Sequence, residues 1–345
     1  MSNRTFTVGP RPHAPEHRHT FPCFGGECTV IVADAARPAD AAAAAAMGKR
    51  ALLTWHRQFS RFIEESELSR LNGSAADEVA VSPLMRRMIE VALKGARDTG
   101  GLVDITLADE IEHAGYAGHL EGEGTALGAA LAGAPPRASA GPHLDERWRR
   151  ISIDHRRGTV LRPAGLRLDV GGIAKGVFAD ELAAMLEGFD AYAVDCAGDV
   201  RIGGRARLAR PVHVASPFDA SPLHTFSLTA GSVATSGIGR RSWIVDGGRP
   251  AHHLLDPRTG RPAFTGIVQA TAIAPTATQA EILAKAALLS GPARAGEWLT
   301  HGGLVVRDDG HHQVLVPPSA GSGPPSSTTS TAGRPGSLRI SWKPA

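Results

Sequence analysis

The segment LDVGGIAKGVFAD, Leu168 to Asp180, gathers an acid, two glycines and a lysine where a short apolar run gives way to an amphipathic pattern. Asp169 closes the apolar run, Gly171 and Gly172 make a turn without side chains, and Lys175 falls on the first turn of a helix whose apolar stripe is Ile173, Val177 and Leu182. A helix N-terminus presents unpaired N–H groups and a partial positive charge, so it suits a phosphate. Glycine lets the phosphate approach the backbone, and a lysine one turn in adds a mobile point charge. The same residues also fit an ordinary strand–turn–helix with a surface lysine, since a single glycine-rich loop is a weak signal.

Six further strings carry chemistry or turn signals. They are FPCFGGECTVIV (Phe21–Val32), FSRFIEESELSRLN (Phe59–Asn72), TGGLVDIT (Thr99–Thr106), DCAGDVRIGG (Asp195–Gly204), SVATSG (Ser232–Gly237) and HHLLDPRTGRP (His252–Pro262). The last reads as a strand running into a turn punctuated by Pro257 and Gly260. Histidine as a residue type titrates near neutrality, so His253 within it suits a general base, though a histidine bonded structurally in the turn fits too. Thr235 and Ser236 offer hydroxyls to a phosphate or flavin, or satisfy loop backbone.

Taken in order, these strings resemble the FAD:protein FMN transferase family, the ApbE flavin transferases, across roughly residues 21 to 306. The resemblance implies one compact α+β domain with a T-fold-like core. It also implies a reaction in which a Thr or Ser hydroxyl of a target flavoprotein attacks FAD, so that FMN becomes phosphoester-linked to the target and AMP leaves. The acceptor so implied is an FMN-binding domain protein. By the same resemblance Lys175 faces the pyrophosphate, His253 is the base, and Phe62, Leu102, Val103, Asp104, Asp169, Thr235 and Ser236 line the cofactor slot. The family binds magnesium through the carbonyl matching Gly172 and through two residues, an Asp and a Thr, on a later helix.

This chain places Glu281 and Lys285 at those two positions, four apart on one helix face. Glutamate retains carboxylate oxygens, whereas an ammonium has no lone pair. Three readings follow: Lys285 pairs with Glu281 and takes over the neutralising role, magnesium binds in a shifted position, or the two form an ordinary surface pair. The departure leaves room for a homologue that holds FAD like a chaperone without transfer, and for a FAD pyrophosphatase that releases FMN and AMP.

The elements that must position these residues follow from pattern. Forty-two per cent hydrophobic residues over 345 positions allow a substantial core. A net charge of +3 without a basic block excludes a nucleic-acid footprint. No apolar run has the length of a membrane span, and the N-terminus lacks a signal-peptide pattern, so the expectation is a cytoplasmic protein. Cys23, Cys28 and Cys196 have no metal or redox spacing. Helices are expected over 39–62, from Ser82-Pro83 to the Gly100–Gly101 stop, and over 278–289. Strands are expected at 149–153, 159–162, 166–169, 191–196, 212–215, 224–229, 267–274 and 303–306. Strands and helices mix without βα alternation, which points to α+β. The expected organisation is a flexible segment 1–20, a domain over 21–316 and a low-complexity tail over 317–345 whose LRISW string could add an edge strand.

Overall fold

The computed structural model describes residues 15–118, 125–245 and 247–316. The tail 317–345 and its LRISW string lie outside the described residues. Eight strands form one sheet in which sequence neighbours are sheet neighbours: β1 (Glu16–Cys23), β2 (Gly26–Ala33), β3 (Ala191–Cys196), β4 (Asp199–Gly203), β5 (Gly231–Gly237), β6 (Ile267–Ala274), β7 (Gly303–Arg307) and β8 (His312–Leu315). Every pairing is antiparallel. The long excursions between strands carry the helices α1 (Pro38–Phe59), α2 (Pro83–Asp98), α3 (Ala174–Leu186) and α4 (Ala277–Ser290). The result is an α+β architecture.

Alternation along the central strands sorts two cores. Val30, Val32, Tyr192, Val194 and Cys196 join Leu52, Phe178 and Leu182 on the helix side. Ile31 and Ala193 point the other way, toward Val212, Val214 and Phe226 of a hairpin formed by Arg210–Ala215 and Pro222–Leu228. All three cysteines are free and buried.

Local chemistry sets the helix ends. Ser82 caps α2 by accepting from the Met85 N–H at 3.1 Å, with Pro83 at the first position. Thr276 does the same for α4 through the Gln279 N–H at 3.2 Å. Helix α3 has no side-chain cap at its own N-cap residue, Ile173. A neighbour supplies it: Glu281 Oε2 on α4 accepts from the Gly176 N–H at 2.8 Å. Asp180 on α3 answers by accepting from the Ala277 and Thr278 N–H groups at 2.8 and 2.9 Å. The two helices therefore cap each other. Their approach is close enough that a Cβ on Gly176 would lie 2.7 Å from Thr278 Cα.

Several expectations are corrected. The segment expected to be flexible up to residue 20 enters the sheet at Glu16, because β1 pairs in unbroken register from Glu16↔Ala33 to Cys23↔Gly26. Leu166–Asp169 is no strand, since Leu168 exchanges both backbone groups with the Asn72 amide, each at 2.8 Å, and Asp169 N–H donates to Ile105 O. The strand expected from 149 begins at Ser152, after a 3₁₀ turn at Arg147–Arg150 around buried Trp148. SVATSG is not a loop but most of β5, paired with β4 and β6.

Replacing Gly176 by alanine forces a methyl group into the α4 backbone and weakens both caps. We expect Gly176→Ala to cost roughly 1–3 kcal/mol, the usual penalty for overpacking, read as a lowered midpoint in thermal or denaturant unfolding. An unchanged midpoint would refute the described crossing.

Candidate active site

A cleft of about 1580 Å³ runs from the β1–β2 hairpin to the N-terminus of α3. That exceeds the range of about 300–1,000 Å³ usual for small-molecule sites and suits a dinucleotide. Its lining contains every site residue singled out in the sequence: Phe62, Leu102, Val103, Asp104, Asp169, Gly172, Lys175, Thr235, Ser236, His253, Glu281 and Lys285.

The polar end is built around the glycine turn. Asp169 Oδ1 accepts from Gly171 N–H at 2.7 Å and Oδ2 faces Arg61 Nε at 3.3 Å, so this acid braces the turn while lining the cleft. Lys175 donates to Asp199 Oδ2 and lies 3.9 Å from Glu281 Oε1. Asp199 is delivered by the two-residue turn Ala197–Gly198 between β3 and β4, where both residues take positive φ (55° and 105°) as a tight hairpin requires. Its other oxygen accepts from Thr235 N–H at 3.1 Å, tying β5 to the cluster. Thr235 Oγ1 is bonded to Thr271 Oγ1 at 2.9 Å, which leaves Ser236 as the less committed hydroxyl.

Burial opposes the Lys175 charge, but Asp199 and Glu281 beside it outweigh that and hold its pKa above the usual lysine value. Burial pushes Glu281 up to about 7 against the pull of Lys175, and Asp195 likewise to about 7. Burial also depresses Lys285, with Glu281 opposing. Lys285 Nζ donates to the Gly172 carbonyl.

This arrangement does not fit the magnesium set expected from the sequence. The Gly172 oxygen is taken by an ammonium, Lys285 offers no lone pair, and one Glu281 oxygen caps α3. Lys285 also pairs with the carbonyl rather than chiefly with Glu281. Among the described residues no group of three or more His, Cys, Asp or Glu could hold a metal ion.

An aromatic group also lines the cleft, joined to the turn through Arg61. Arg61 lies over the rings of Phe62 and Tyr116 at 4.2 and 4.8 Å, and Tyr116 stacks on Trp243 at 5.5 Å with 21° between planes. Leu102 and Val103 are buried in the wall. Asp104 Oδ1 accepts from Thr106 N–H and Oγ1, each at 2.8 Å, while Oδ2 is buried without a partner among the described residues. Burial raises its pKa. An orphaned carboxylate oxygen in a cleft wall can accept a hydrogen bond from a ligand.

His253 lines the same cleft. Its Nδ1 lies 3.4 Å from the Arg241 carbonyl, which only accepts, so Nδ1 carries the proton and Nε2 is left as an acceptor. Burial, with the positive charges of Arg241 and Lys285 nearby, sets its pKa well below the usual 6.5. Arg241 also donates to Phe24 O at 2.8 Å, and Phe24 (φ 56°) stacks on Phe178.

Sequence reasoning missed Asp199, Arg61, Tyr116, Trp243 and Arg241. Asp199 belongs to the DCAGDVRIGG string, directly after the Ala197–Gly198 turn. Tyr116 and Trp243 belong to a chain with two tyrosines and five tryptophans, and that scarcity was the available signal.

An antiparallel meander with helices in its crossovers and a dinucleotide-sized cleft bearing two ammonium groups defines the class. The sequence model of the ApbE family matches residues 24–306, and the chain belongs to that family. It is 31% identical over 248 residues to the FAD:protein FMN transferase of Treponema pallidum, covering 66% of each chain. It is 28% identical over 264 residues to the Escherichia coli K12 protein of the same name, covering 72% of this chain and 71% of that one. The fold matches the ApbE protein of Thermotoga maritima with a TM-score of 0.70 at 24% identity, covering 87% and 97% of the two chains. It matches the flavin transferase ApbE of Vibrio cholerae with a TM-score of 0.67 at 20% identity, covering 88% and 98%.

The depressed histidines carry a pH consequence. His252 is pushed down to about 3 by burial, and His253 falls well below 6.5. The unfolded chain takes up protons that the fold refuses, so their contribution to stability is complete above about 6.5 and is lost as pH falls below it. Nitrogen-15 NMR of the native protein about one unit below the ordinary histidine pKa should show both rings neutral. Imidazolium shifts for His253 there would contradict the buried setting.

Proposed function

We propose that this protein is a FAD:protein FMN transferase, which uses FAD as substrate and attaches FMN to a Thr or Ser hydroxyl of an acceptor flavoprotein, an FMN-binding domain protein. The observation that carries the proposal is one cleft whose lining combines Lys175, Lys285 seated on the glycine turn, and the Arg61, Phe62, Tyr116 and Trp243 group. Phosphoryl transfer rests on positioning and charge neutralisation, which cations beside a helix N-terminus provide. The names of the relatives point the same way.

In this reading the pyrophosphate lies against Lys175, Lys285 and the turn, with Ser236 within the same wall. The Arg61, Phe62, Tyr116 and Trp243 group offers rings and a guanidinium plane for stacking by one of the flat ends of FAD. Asp104 accepts a hydrogen bond from an adenine or ribose donor through its orphaned oxygen. The acceptor hydroxyl oxygen attacks the phosphorus on the FMN side and its proton passes to His253 Nε2. The anhydride P–O bond breaks and AMP leaves. His253 Nε2 is left as the acceptor that a base requires. Magnesium is given no step here, because the residues at its expected position do not fit it.

The test is incubation with FAD and an FMN-binding domain carrying an acceptor Thr, with intact mass and AMP release read together. A mass gain equal to the FMN moiety, with AMP released, supports transfer. AMP with free FMN points instead to a pyrophosphatase, and bound FAD with neither product to a flavin chaperone. We expect Lys175→Ala to weaken FAD binding about tenfold or more, the loss of a charge-assisted contact. His253→Ala should bind FAD nearly as before but transfer about 10²–10⁴-fold more slowly. Undiminished transfer by the His253 variant removes it as the base.

A further inference from the structure

We propose that Lys285 is a built-in cation that neutralises the pyrophosphate in place of a divalent metal, so that this protein binds FAD in metal-free solution. The inference rests on the FAD reading above.

Four observations combine. Lys285 Nζ donates to the Gly172 carbonyl, the one backbone oxygen of the glycine turn expected to hold a metal. A Cβ on Gly172 would meet that Nζ at 2.8 Å, so the ammonium sits directly on the turn. Magnesium would need to approach the same oxygen to about 2.0–2.1 Å, and two cations cannot share the space. Glu281, the only carboxylate among the expected ligands, is already engaged by the Gly176 N–H at 2.8 Å and faces Lys175 at 3.9 Å.

The ammonium is suitably placed for the substitute role. Lys285 lines the cleft beside Lys175. An ammonium has three donors, and the carbonyl accounts for one, leaving two for phosphate oxygens. Two lysines match the two negative charges of a dinucleotide pyrophosphate. Asp199 and Glu281 pair with Lys175 directly, and the charge of Glu281 also favours the Lys285 ammonium against its burial. A sequence with a hydroxyl at 285 would leave the Gly172 oxygen and Glu281 beside a third oxygen, a hard-ion set. This chain fills that space with its own charge.

The experiment titrates FAD by flavin-fluorescence quenching into wild type, Lys285→Arg, Lys285→Met and Lys285→Thr, each in EDTA and in magnesium, with folding checked by circular dichroism. Wild-type affinity should agree within about twofold between the two buffers, a small part of one charge-assisted hydrogen bond. Lys285→Arg should retain most of it, whereas Lys285→Met should lose about tenfold or more in EDTA. Lys285→Thr should bind weakly in EDTA and recover with magnesium. Wild-type affinity that rises about tenfold with magnesium overturns the proposal, as does undiminished binding by Lys285→Met. If Lys285→Met does not fold, the wild-type comparison still decides. Equal binding in EDTA without any protein adduct removes the transferase reading and leaves the resident cation standing. No FAD binding in either buffer removes both.

Discussion

Helices α3 and α4 cap each other, and the active site is the consequence. Helix α3 begins without a cap of its own, so its Gly176 N–H is satisfied by Glu281 of α4, while Asp180 of α3 covers the first two N–H groups of α4. A helix end buried without such partners would cost far more than the few tenths of a kcal/mol of an exposed pair. The crossing that permits this demands glycine at 176. It also fixes Lys175 one residue away, sets Glu281 within 3.9 Å of its ammonium and lets Lys285, one turn further along α4, reach the Gly172 carbonyl. Capping, charge balance and substrate recognition are therefore one arrangement rather than three.

The sheet brings the remaining groups to this junction. The β3–β4 turn delivers Asp199, which links Lys175 to the β5 backbone at Thr235. Arg61 performs a corresponding task, meeting Asp169 and Glu112 while its guanidinium covers Phe62 and Tyr116. Arg167 adds a bidentate contact to Glu112 and holds that carboxylate's pKa low. The glycine turn is thus clamped from both sides before any ligand arrives, which is the preorganisation that phosphoryl chemistry uses.

Much of this was legible in the sequence. The cap at Ser82, the proline at 83, and the strands at 191–196 and 267–274 follow from local signals that act over a few residues. Every residue assigned to the site does line one cleft. What escaped depends on contacts between distant segments. Asp199 became part of the site only because a hairpin turn aimed it at a lysine 24 positions earlier. Strand β1 escaped because its outward side chains are polar, and only its pairing with β2 and the burial of Phe21 and Cys23 justify it. The apolar residues at 166–169 suit a strand, yet the backbone there bonds to a side chain and a loop. Lys285 was legible as an anomaly, but its carbonyl partner 113 residues away was not.

The most direct measurement is a crystal structure of the FAD complex grown in EDTA. The account predicts pyrophosphate oxygens at hydrogen-bond distance, about 2.7–3.2 Å, from both Lys175 Nζ and Lys285 Nζ, with Glu281 still capping α3. A pyrophosphate bound away from the glycine turn, or a complex that forms only with a metal between Gly172 O and Glu281 and with Lys285 displaced, would contradict it.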